Sequence, residues 1–484
     1  MDFKFPKEVF NILDKFQKAN YQIYIVGGAV RDLLMEKGVK DWDFTTDAKP
    51  EEILKIFPEG VYGNSFGTVI IPEKNIHYDK GRDQSLVEIT TMRKEGDYRD
   101  YRHPTNVSWT DKIADDLSRR DFTINAIALS VILGSEATPE PNQTRDSGQA
   151  HLAGASAKRA RMTLVDPFSG QQDIKNKLIK AVGNPNLRFE EDALRLMRAI
   201  RFSTQLGFNI EEKTFEAIKQ NASLIKNIAW ERIRDELFKI LAAENSYDGI
   251  LKLREAGILQ IILPELEKCF GLKQEGPKHS RVYDIGEHSL LTLKYCPAKD
   301  PLTRLASLLH DVGKPDTVTI DKTGNVTFYN HDVYGGRKVT TIARRFNLSN
   351  KQADKLYRLV RWHMFSVSEN QTDSAIRRFI KNAGIENLDD MMALRIGDRL
   401  GGGTQKEVSW RMEKFQQKIA AVLKKPFTIS DLKINGHDVM KVLNIKPGPK
   451  VGEILNKLFE EVLKDSSKNR REYLLGRIKV YAPN

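Results

Sequence analysis

The chain has 484 residues, 40% hydrophobic and 29% charged, which is too long for one ordinary core and implies two to four soluble domains. Its net charge of +12 suits a polyanion such as nucleic acid, although charge alone does not exclude a merely basic protein. Cys269 and Cys296 are the only cysteines and have no paired spacing, which argues against a zinc cluster or disulfide framework and fits a reducing cytoplasm.

The opening stretch MDFKFPKEVFNILDKFQ has an amphipathic helical pattern and lacks the apolar core of a signal peptide. The longest apolar run, near Ala126 to Leu133, is too short to span a bilayer, so no membrane partner is expected. Tyr24-Ile25-Val26 is a short β-prone run that stops at Gly27-Gly28, where backbone can approach a ligand closely. Ala29 to Glu36 then suits a helix with Arg31 in its first turn. Backbone N–H groups at a helix start, plus a guanidinium, make a place for phosphate. Asp41-Trp42-Asp43-Phe44 reads as a second strand, with both carboxylates on one side and Trp42 on the other. Two carboxylates beside a phosphate site are what two Mg²⁺ ions need. The competing reading is a tight turn and a surface strand with two solvated acids. The joining of both halves in one βαβ-sized unit favours chemistry.

Glu51 to Phe57 suits a short helix, and Gly67 to Ile71 and Leu86 to Thr91 suit strands. Glu88, at the centre of the latter, is either a third metal-site acid or an edge-strand acid in water. Residues 93–110 are polar, aromatic and Arg-rich without a period, and read as a mobile loop. Leu117 to Ala126 leads into an apolar helix, with Arg119 and Arg120 at its start to hold a triphosphate or to form a capping cluster. Residues 134–161, rich in small and polar residues, Pro and Gly, read as a disordered insertion. Structure resumes at Met162 and turns at Asp166-Pro167-Phe168-Ser169-Gly170.

From about Leu187 the pattern is almost wholly helical. Phe189 to Phe202 reads as one amphipathic helix with Asp192, Arg195 and Arg198 on a single polar ridge. Such a ridge is ordinary on a surface helix, but it also suits base edges or phosphates. Arg201 falls within the apolar arc and reads as half of a buried ion pair. Glu231 to Glu236 opens the next helix. Further on, His288, His310-Asp311, His331, His363 and Asp398 stand at or near helix ends. One such histidine would be structural; together with the adjacent His-Asp pair they can gather round a divalent transition metal. From Phe427 to Val480 a helix capped by Asn435, a break at Lys446 to Pro449 and an amphipathic Val451 to Leu463 carry many cations, offering either a phosphate-backbone surface or a solvated face.

Gly27-Gly28-Ala29-Val30-Arg31-Asp32, Asp41-x-Asp43, Arg119-Arg120-Asp121-Phe122-Thr123-Ile124-Asn125-Ala126, Asp166-Pro167-Phe168-x-Gly170 and Glu191-Asp192-x-x-Arg195, in that order, closely resemble the class II tRNA nucleotidyltransferases of CCA-adding type, within the polymerase-β-like superfamily. The resemblance covers nearly the whole chain outside the insertion. It implies an α+β head with a small mixed sheet over residues 1–182, an all-α neck over 183–276, an HD-like helical body over 277–405 and a tRNA-holding helical tail over 406–484. By the same resemblance Asp41 and Asp43 would hold two Mg²⁺. Gly27, Gly28, Arg31 and Arg120 would cradle the triphosphate. Asp192 and Arg195 would read CTP or ATP, with Arg198 and Arg201 near the nucleotide. The expected partners are the tRNA 3′ end, CTP and ATP. The histidine region resembles an HD-type phosphohydrolase that would take Ni²⁺, Co²⁺ or Mn²⁺ and could act on RNA ends.

Poly(A) polymerases of bacteria share the head motifs, but Gly63-Asn64-Ser65-Phe66-Gly67-Thr68-Val69 stands where they carry an Arg-rich segment. CC-only members of the family resemble this chain with a shortened loop here, so the full-length 93–110 segment favours CCA addition or A-only addition, and the sequence does not separate the two. Intact Asp41, Asp43 and Arg120 argue against a nonenzymatic RNA-binding relic.

Overall fold

The computed structural model describes all residues except 1–2, 4, 40, 63–66, 74–84, 97–105, 134–159, 276–281, 321, 323–325, 366–370, 405, 407, 424–428 and 482–484. The chain divides into two compact units, Met1–Ile262 and Leu263–Asn484.

In the first unit, helix α1 (Lys7–Lys18) precedes strand β1 (Ile23–Val26), α2 (Gly28–Leu34), β2 (Asp43–Thr46), α3 (Pro50–Ile56), β3 (Val61–Tyr62), β4 (Thr68–Glu73) and β5 (Ser85–Thr91). There follow β6 (Arg93–Glu95), β7 (Val107–Trp109), α4 (Ile113–Ser118), β8 (Ala128–Leu133), β9 (Ala160–Val165) and α5 (Gly170–Lys175). Seven strands form one mixed sheet in the order β3-β4-β5-β2-β1-β8-β9, with β2 and β5 its parallel pair. Apolar faces of α1 (Val9, Ile12, Leu13, Phe16) and α3 (Ile53) are buried in this unit, as are Ile25, Phe44, Val69, Ile89 and Val131 of the sheet. A separate cluster gathers Val26, Leu117, Ala126, Ala128 and Val182.

The helical part of this unit holds α6 (Pro185–Glu191), α7 (Leu194–Leu206), α8 (Glu212–Asn221), α9 (Trp230–Leu241), α10 (Ser246–Glu255) and α11 (Leu259–Ile262), with α7 packed on α9 and α10. The second unit holds α12 (Pro264–Glu267), α13 (Ile285–Tyr295), α14 (Pro301–Leu309), α15 (His331–Arg345), α16 (Asn350–Arg361), α17 (Asp373–Ala383), α18 (Leu388–Gly401) and α19 (Trp410–Leu423). It ends in α20 (Gly436–Leu443), α21 (Pro449–Lys464) and α22 (Arg471–Tyr481), which share their own core of Val439, Ile454, Leu458, Val462, Leu474 and Ile478. No described helix is long and apolar enough to cross a membrane.

Four sequence expectations need correction. The base of the 93–110 segment is a hairpin of β6 and β7, paired Arg93 to Trp109 and Glu95 to Val107; residues 97–105 lie outside the described part. The apolar run after Arg120 is not a helix but a short 3₁₀ turn and then β8, sandwiched between β1 and β9. A short run that is apolar on all sides suits a central strand as well as a helix, and periodicity cannot choose between them. Most of the expected insertion lies outside the described residues, but Ala160 and Arg161 already pair with Leu133 and Ile132 in β9. The single helix expected over Phe189 to Phe202 is two: α6 ends at Glu191, Asp192 is extended at φ −140 and ψ 103, and α7 starts at Leu194.

Candidate active site and metal centre

The first site is built on the ends of β1 and β2. Val26 pairs with Asp43, and Asp43 pairs in register with Glu88 on β5. Side chains in register on neighbouring strands share a face, so Asp43 and Glu88 project together. Asp41 stands two residues ahead of Asp43, just outside β2 rather than within it, with Trp42 buried between them. The strand alternation therefore persists past the last paired residue.

Gly27, at φ +68, takes the left-handed turn that ends β1. A Cβ placed there would lie 3.0 Å from Arg120 Nη1 and 3.5 Å from Asp43 Oδ2. A cation and a carboxylate thus converge over a bare Cα. Gly28 opens α2, and Arg31, at the middle of this seven-residue helix, donates to Asp32 at 2.9 Å and to Asn125 at 2.9 Å. Arg120 is held from behind by Asp116, 3.3 Å away, while its buried Nε makes no hydrogen bond among the described residues. The donor set of Asp41, Asp43 and Glu88 consists of hard carboxylate oxygens, the ligand chemistry that suits Mg²⁺.

Asp116 had no role in the sequence reading, and neither did Asp121. Asp116 is fully buried; its Oδ1 accepts from Arg119 Nη2 at 2.7 Å and from the Arg93 backbone N–H at 3.4 Å. One carboxylate thereby ties the base of the β6–β7 hairpin to Arg119 and Arg120. Asp121 accepts from Arg198 Nε at 2.7 Å and from Asn125 Nδ2 at 3.3 Å. Burial pushes the Asp121 carboxyl up, but Arg198 and Arg195 outweigh burial and hold it down at about 2. A buried carboxylate beside arginines could not be told from a surface acid by spacing alone. Turn geometry is enforced nearby: a Cβ on Gly170 would sit 2.1 Å from the Thr123 carbonyl oxygen.

The groups on the expected ridge are spread over the α6–α7 break. Asp192 caps the Leu194 N–H at 3.0 Å and pairs with Arg232 at 3.0 Å. Arg195 donates to Glu191 at 2.6 Å and to the Arg119 carbonyl at 3.0 Å. Arg198 binds Asp121. Arg201 is buried against Glu236 at 3.1 Å, and burial lowers its guanidinium to about 10 even though Glu236 opposes the shift.

The second site lies wholly in Leu263–Asn484. His288 comes from α13, His310 and Asp311 from the end of α14, His331 from the first turn of α15, His363 from just past α16, and Asp398 from α18. All six meet. His288 Nε2 is 3.2 Å from Asp398, His310 Nε2 3.2 Å from Asp311, His331 Nε2 3.4 Å and His363 Nε2 3.7 Å from Asp311. Three imidazoles direct Nδ1 at a backbone carbonyl three residues earlier: His310 at Ser307, His331 at Phe328 and His363 at Val360, at 2.8, 2.8 and 2.7 Å. With Nδ1–H donating there, each Nε2 keeps its lone pair for a metal. Nε2 of His310 and of His331 are buried and face the two oxygens of Asp311, so these atoms and the carboxylate are gathered as a ligand set could be.

Burial and then His310 push the His363 imidazole down to about 3. Burial would also lower His310, but Asp311 and Asp398 outweigh it and raise that ring. Asp311 and Asp398 are held well below the carboxylate range against burial, the former by His310 and Lys314, the latter by His288 and His310. Backbone contacts set the spacing. A Cβ on Gly313 would fall 2.0 Å from the His331 carbonyl oxygen, and one on Gly397 2.4 Å from that of Thr292. One on Gly401 would fall 2.8 Å from Thr292 N, so α18 lies directly against α13.

Residues 23–180 match the family model of the "Poly A polymerase head domain", residues 207–270 the "Probable RNA and SrmB- binding site of polymerase A", and residues 333–478 a tRNA nucleotidyltransferase domain 2. An A-adding tRNA nucleotidyltransferase of Deinococcus radiodurans is 33% identical over 449 residues, 90% of each chain. A CCA-adding enzyme of Ligilactobacillus salivarius is 31% identical over 476 residues, 98% of this chain and 96% of the other. In fold, the chain resembles the Bacillus stearothermophilus CCA-adding enzyme in complex with CTP, with a TM-score of 0.65 at 24% identity over 98% of this chain and 96% of that one.

Proposed function

On the footing that this chain belongs to the class II CCA-adding tRNA nucleotidyltransferase family, we propose that it adds CCA to the 3′ end of tRNA from CTP and ATP, without a nucleic-acid template. The observation that carries the reading is the convergence of Arg120 Nη1 and Asp43 Oδ2 over Gly27, with Glu88 in register beside Asp43. In the reaction the tRNA 3′-hydroxyl oxygen bonds the α-phosphorus, the bond to the β-phosphate oxygen breaks and pyrophosphate leaves. Asp41 and Asp43, with Glu88 beside them, would hold Mg²⁺, which when bound supplies the Lewis acidity that lowers the hydroxyl pKa and steadies the triphosphate. Gly27 and Gly28 let phosphate approach the backbone, and the guanidiniums of Arg31 and Arg120 donate to its oxygens.

Asp192 and Arg195 would present the base-reading edge. Their internal bonds leave capacity for this, because a carboxylate offers about four acceptor sites and a guanidinium five donors. Arg198 would orient this edge from its anchor on Asp121, whereas Arg201 contributes through the α7–α9 packing. Residues Phe427 to Val480, with their separate core and many cations, would hold the tRNA backbone. A cytoplasmic location is part of this proposal; two buried, free cysteines are in keeping with a reducing compartment.

Nucleotide omission tests this. With a tRNA lacking its 3′ end, CTP alone should stop at CC and both nucleotides should complete CCA; extension of CC-ended tRNA by ATP alone, with CTP never used, would make the chain an A-adding enzyme. No incorporation in any mixture sinks the proposal. Asp43→Ala should abolish incorporation while tRNA binding stays intact.

The histidine–aspartate cluster favours a second activity in the same chain, a metal-dependent phosphohydrolase acting on RNA ends with Ni²⁺, Co²⁺ or Mn²⁺. Hydrolysis of a 2′,3′-cyclic phosphate that is lost in Asp311→Ala would support it, and no hydrolysis with any of these metals would remove it.

A further inference from the structure

We infer that Asn125 is a positioning residue of the transferase site, which couples Arg31, at the triphosphate end, to Arg198, on the helix that reads the nucleotide. What the two arginines bind is taken from the transferase reading; the link between them stands on geometry.

Arg31 lies on α2, Asn125 ends the 3₁₀ turn Thr123–Asn125, and Arg198 lies on α7. One chain of side-chain hydrogen bonds joins them. Arg31 Nη1 donates to Asn125 Oδ1 at 2.9 Å. Asn125 Nδ2 donates to Asp121 Oδ1 at 3.3 Å. Arg198 Nε donates to Asp121 Oδ2 at 2.7 Å. The middle member has to be an amide. A guanidinium only donates and an ionised carboxylate only accepts, so the group between them must accept on one side and donate on the other. Asn125 and Asp121 are both buried, which shields these bonds from exchange with water.

A second contact joins the same two cations. Phe202, one turn on from Arg198 along α7, is buried with three guanidinium groups about its ring. The central carbons of Arg31, Arg198 and Arg201 stand 5.5, 5.4 and 4.1 Å from the ring centroid. The negative face of an aromatic ring attracts cations over such distances. Phe122, next to Asp121 in sequence, meets Phe202 edge-on at 5.8 Å and ties the turn to the helix. Arg31 and Arg198 therefore share the Asn125–Asp121 chain on one hand and a common ring on the other.

This arrangement passes a displacement from one end to the other. Triphosphate oxygens compete for the donors of Arg31, which in this structure serve Asp32 and Asn125. Arg31 drawn to phosphate pulls on Asn125, and Asn125 in turn alters the hold of Asp121 on Arg198. Asn125 itself is buried and engaged at both ends of its amide, so it acts through the arginines.

A double-mutant cycle tests the link. Arg31→Lys and Arg198→Lys are made singly and together in the full-length chain. Each is read as KM for CTP with saturating tRNA lacking its 3′ end, and as Kd for CTP by calorimetry. Each single change should weaken CTP about tenfold, and the pair should fall short of the product by about fivefold, as expected of groups in one hydrogen-bond network. Repeated in an Asn125→Leu background, the two effects should simply multiply. A merely structural role for Asn125 would weaken all four corners of the cycle alike and leave the coupling in place. Circular dichroism checks folding. If Asn125→Leu does not fold, Asn125→Asp replaces it, since it keeps the shape and the acceptor for Arg31 but has no N–H for Asp121, and the coupling should again be lost. Effects that multiply in the otherwise wild-type chain, or coupling that survives the Asn125 changes, overturn the inference. CTP binding that shows the coupling without any incorporation would sink the transferase reading and spare the link; incorporation without coupling would do the reverse.

Discussion

Asp121→Asn removes one charge from the junction between the sheet and α7 while keeping the side chain's shape. The carboxylate is buried and receives four donors: two from Arg198, the Phe122 N–H at 2.9 Å and Asn125. Burial opposes its charge, and Arg198 and Arg195 more than restore it, so the group titrates at about 2 rather than 3.8. At 1.36 kcal/mol per pH unit, the ionised form contributes roughly 2–3 kcal/mol at neutral pH. The sign follows from the depressed folded value: the contribution is complete above the ordinary carboxylate range and is lost as pH falls from about 4 towards 2, with roughly half gone by pH 3. Arg198 keeps 34% of its side chain exposed, so water softens its loss of partner below the ~3–5 kcal/mol seen when a fully buried pair is broken. Scanning calorimetry at pH 7 should show the transition of Met1–Ile262 lowered by roughly 4–8 °C, the equivalent of about 2 kcal/mol in a unit of this size. The gap between wild type and variant should narrow as the buffer is taken to pH 3.5. An equal gap at both pH values would refute the assignment of this stability to the Asp121 charge.

Asp116→Asn should raise KM for CTP and ATP about tenfold, the equivalent of ~1.4 kcal/mol, with kcat changed far less, because Arg120 loses the anion that aims it. Steady-state kinetics with tRNA held saturating would decide, and an unchanged KM would show that Arg120 is placed by other contacts. Gly313→Ala has no room for its methyl beside the His331 carbonyl, so α15 must shift; a cost of ~1–3 kcal/mol and loss of bound Mn²⁺ are expected. Calorimetry and elemental analysis check both, and full retention of metal would mean that His331 is not a ligand.

Much of the first site was legible because its signals are local. Gly27-Gly28, Arg31 and the Asp41–Asp43 pair lie within one strand–turn–helix–strand unit, where side-chain alternation and glycine chemistry act over a few residues. Glu88 was open from spacing, since only strand order shows that β5 lies beside β2 in register with Asp43. The helix expected across Asp192 failed for a different reason. Helical periodicity runs unbroken through Phe189 to Phe202, but Asp192 satisfies the Leu194 N–H and Arg232 better from an extended backbone than from a helical one. Asp121 was invisible because its main partner, Arg198, is 77 residues away; Asp116 stands three and four residues before Arg119 and Arg120, a spacing that the sequence offers, but only the fold shows that it is buried. The six residues of the histidine centre could be named, but their gathering around Asp311 is a property of three-dimensional distances alone.

The contact of α18 with α13 through Gly397 and Gly401 works as a gauge block. His288 and Asp398 ride on the two helices that these glycines bring together. Backbone atoms in contact resist compression, and both glycines meet the backbone of α13 at Thr292. The spacing of the two helices that carry His288 and Asp398 is thereby limited by van der Waals contact between their backbones. Core substitutions elsewhere in the unit should alter its stability long before they alter the bite of the pocket, so sequence can drift freely around a dimension that two hydrogen atoms in place of methyl groups keep constant.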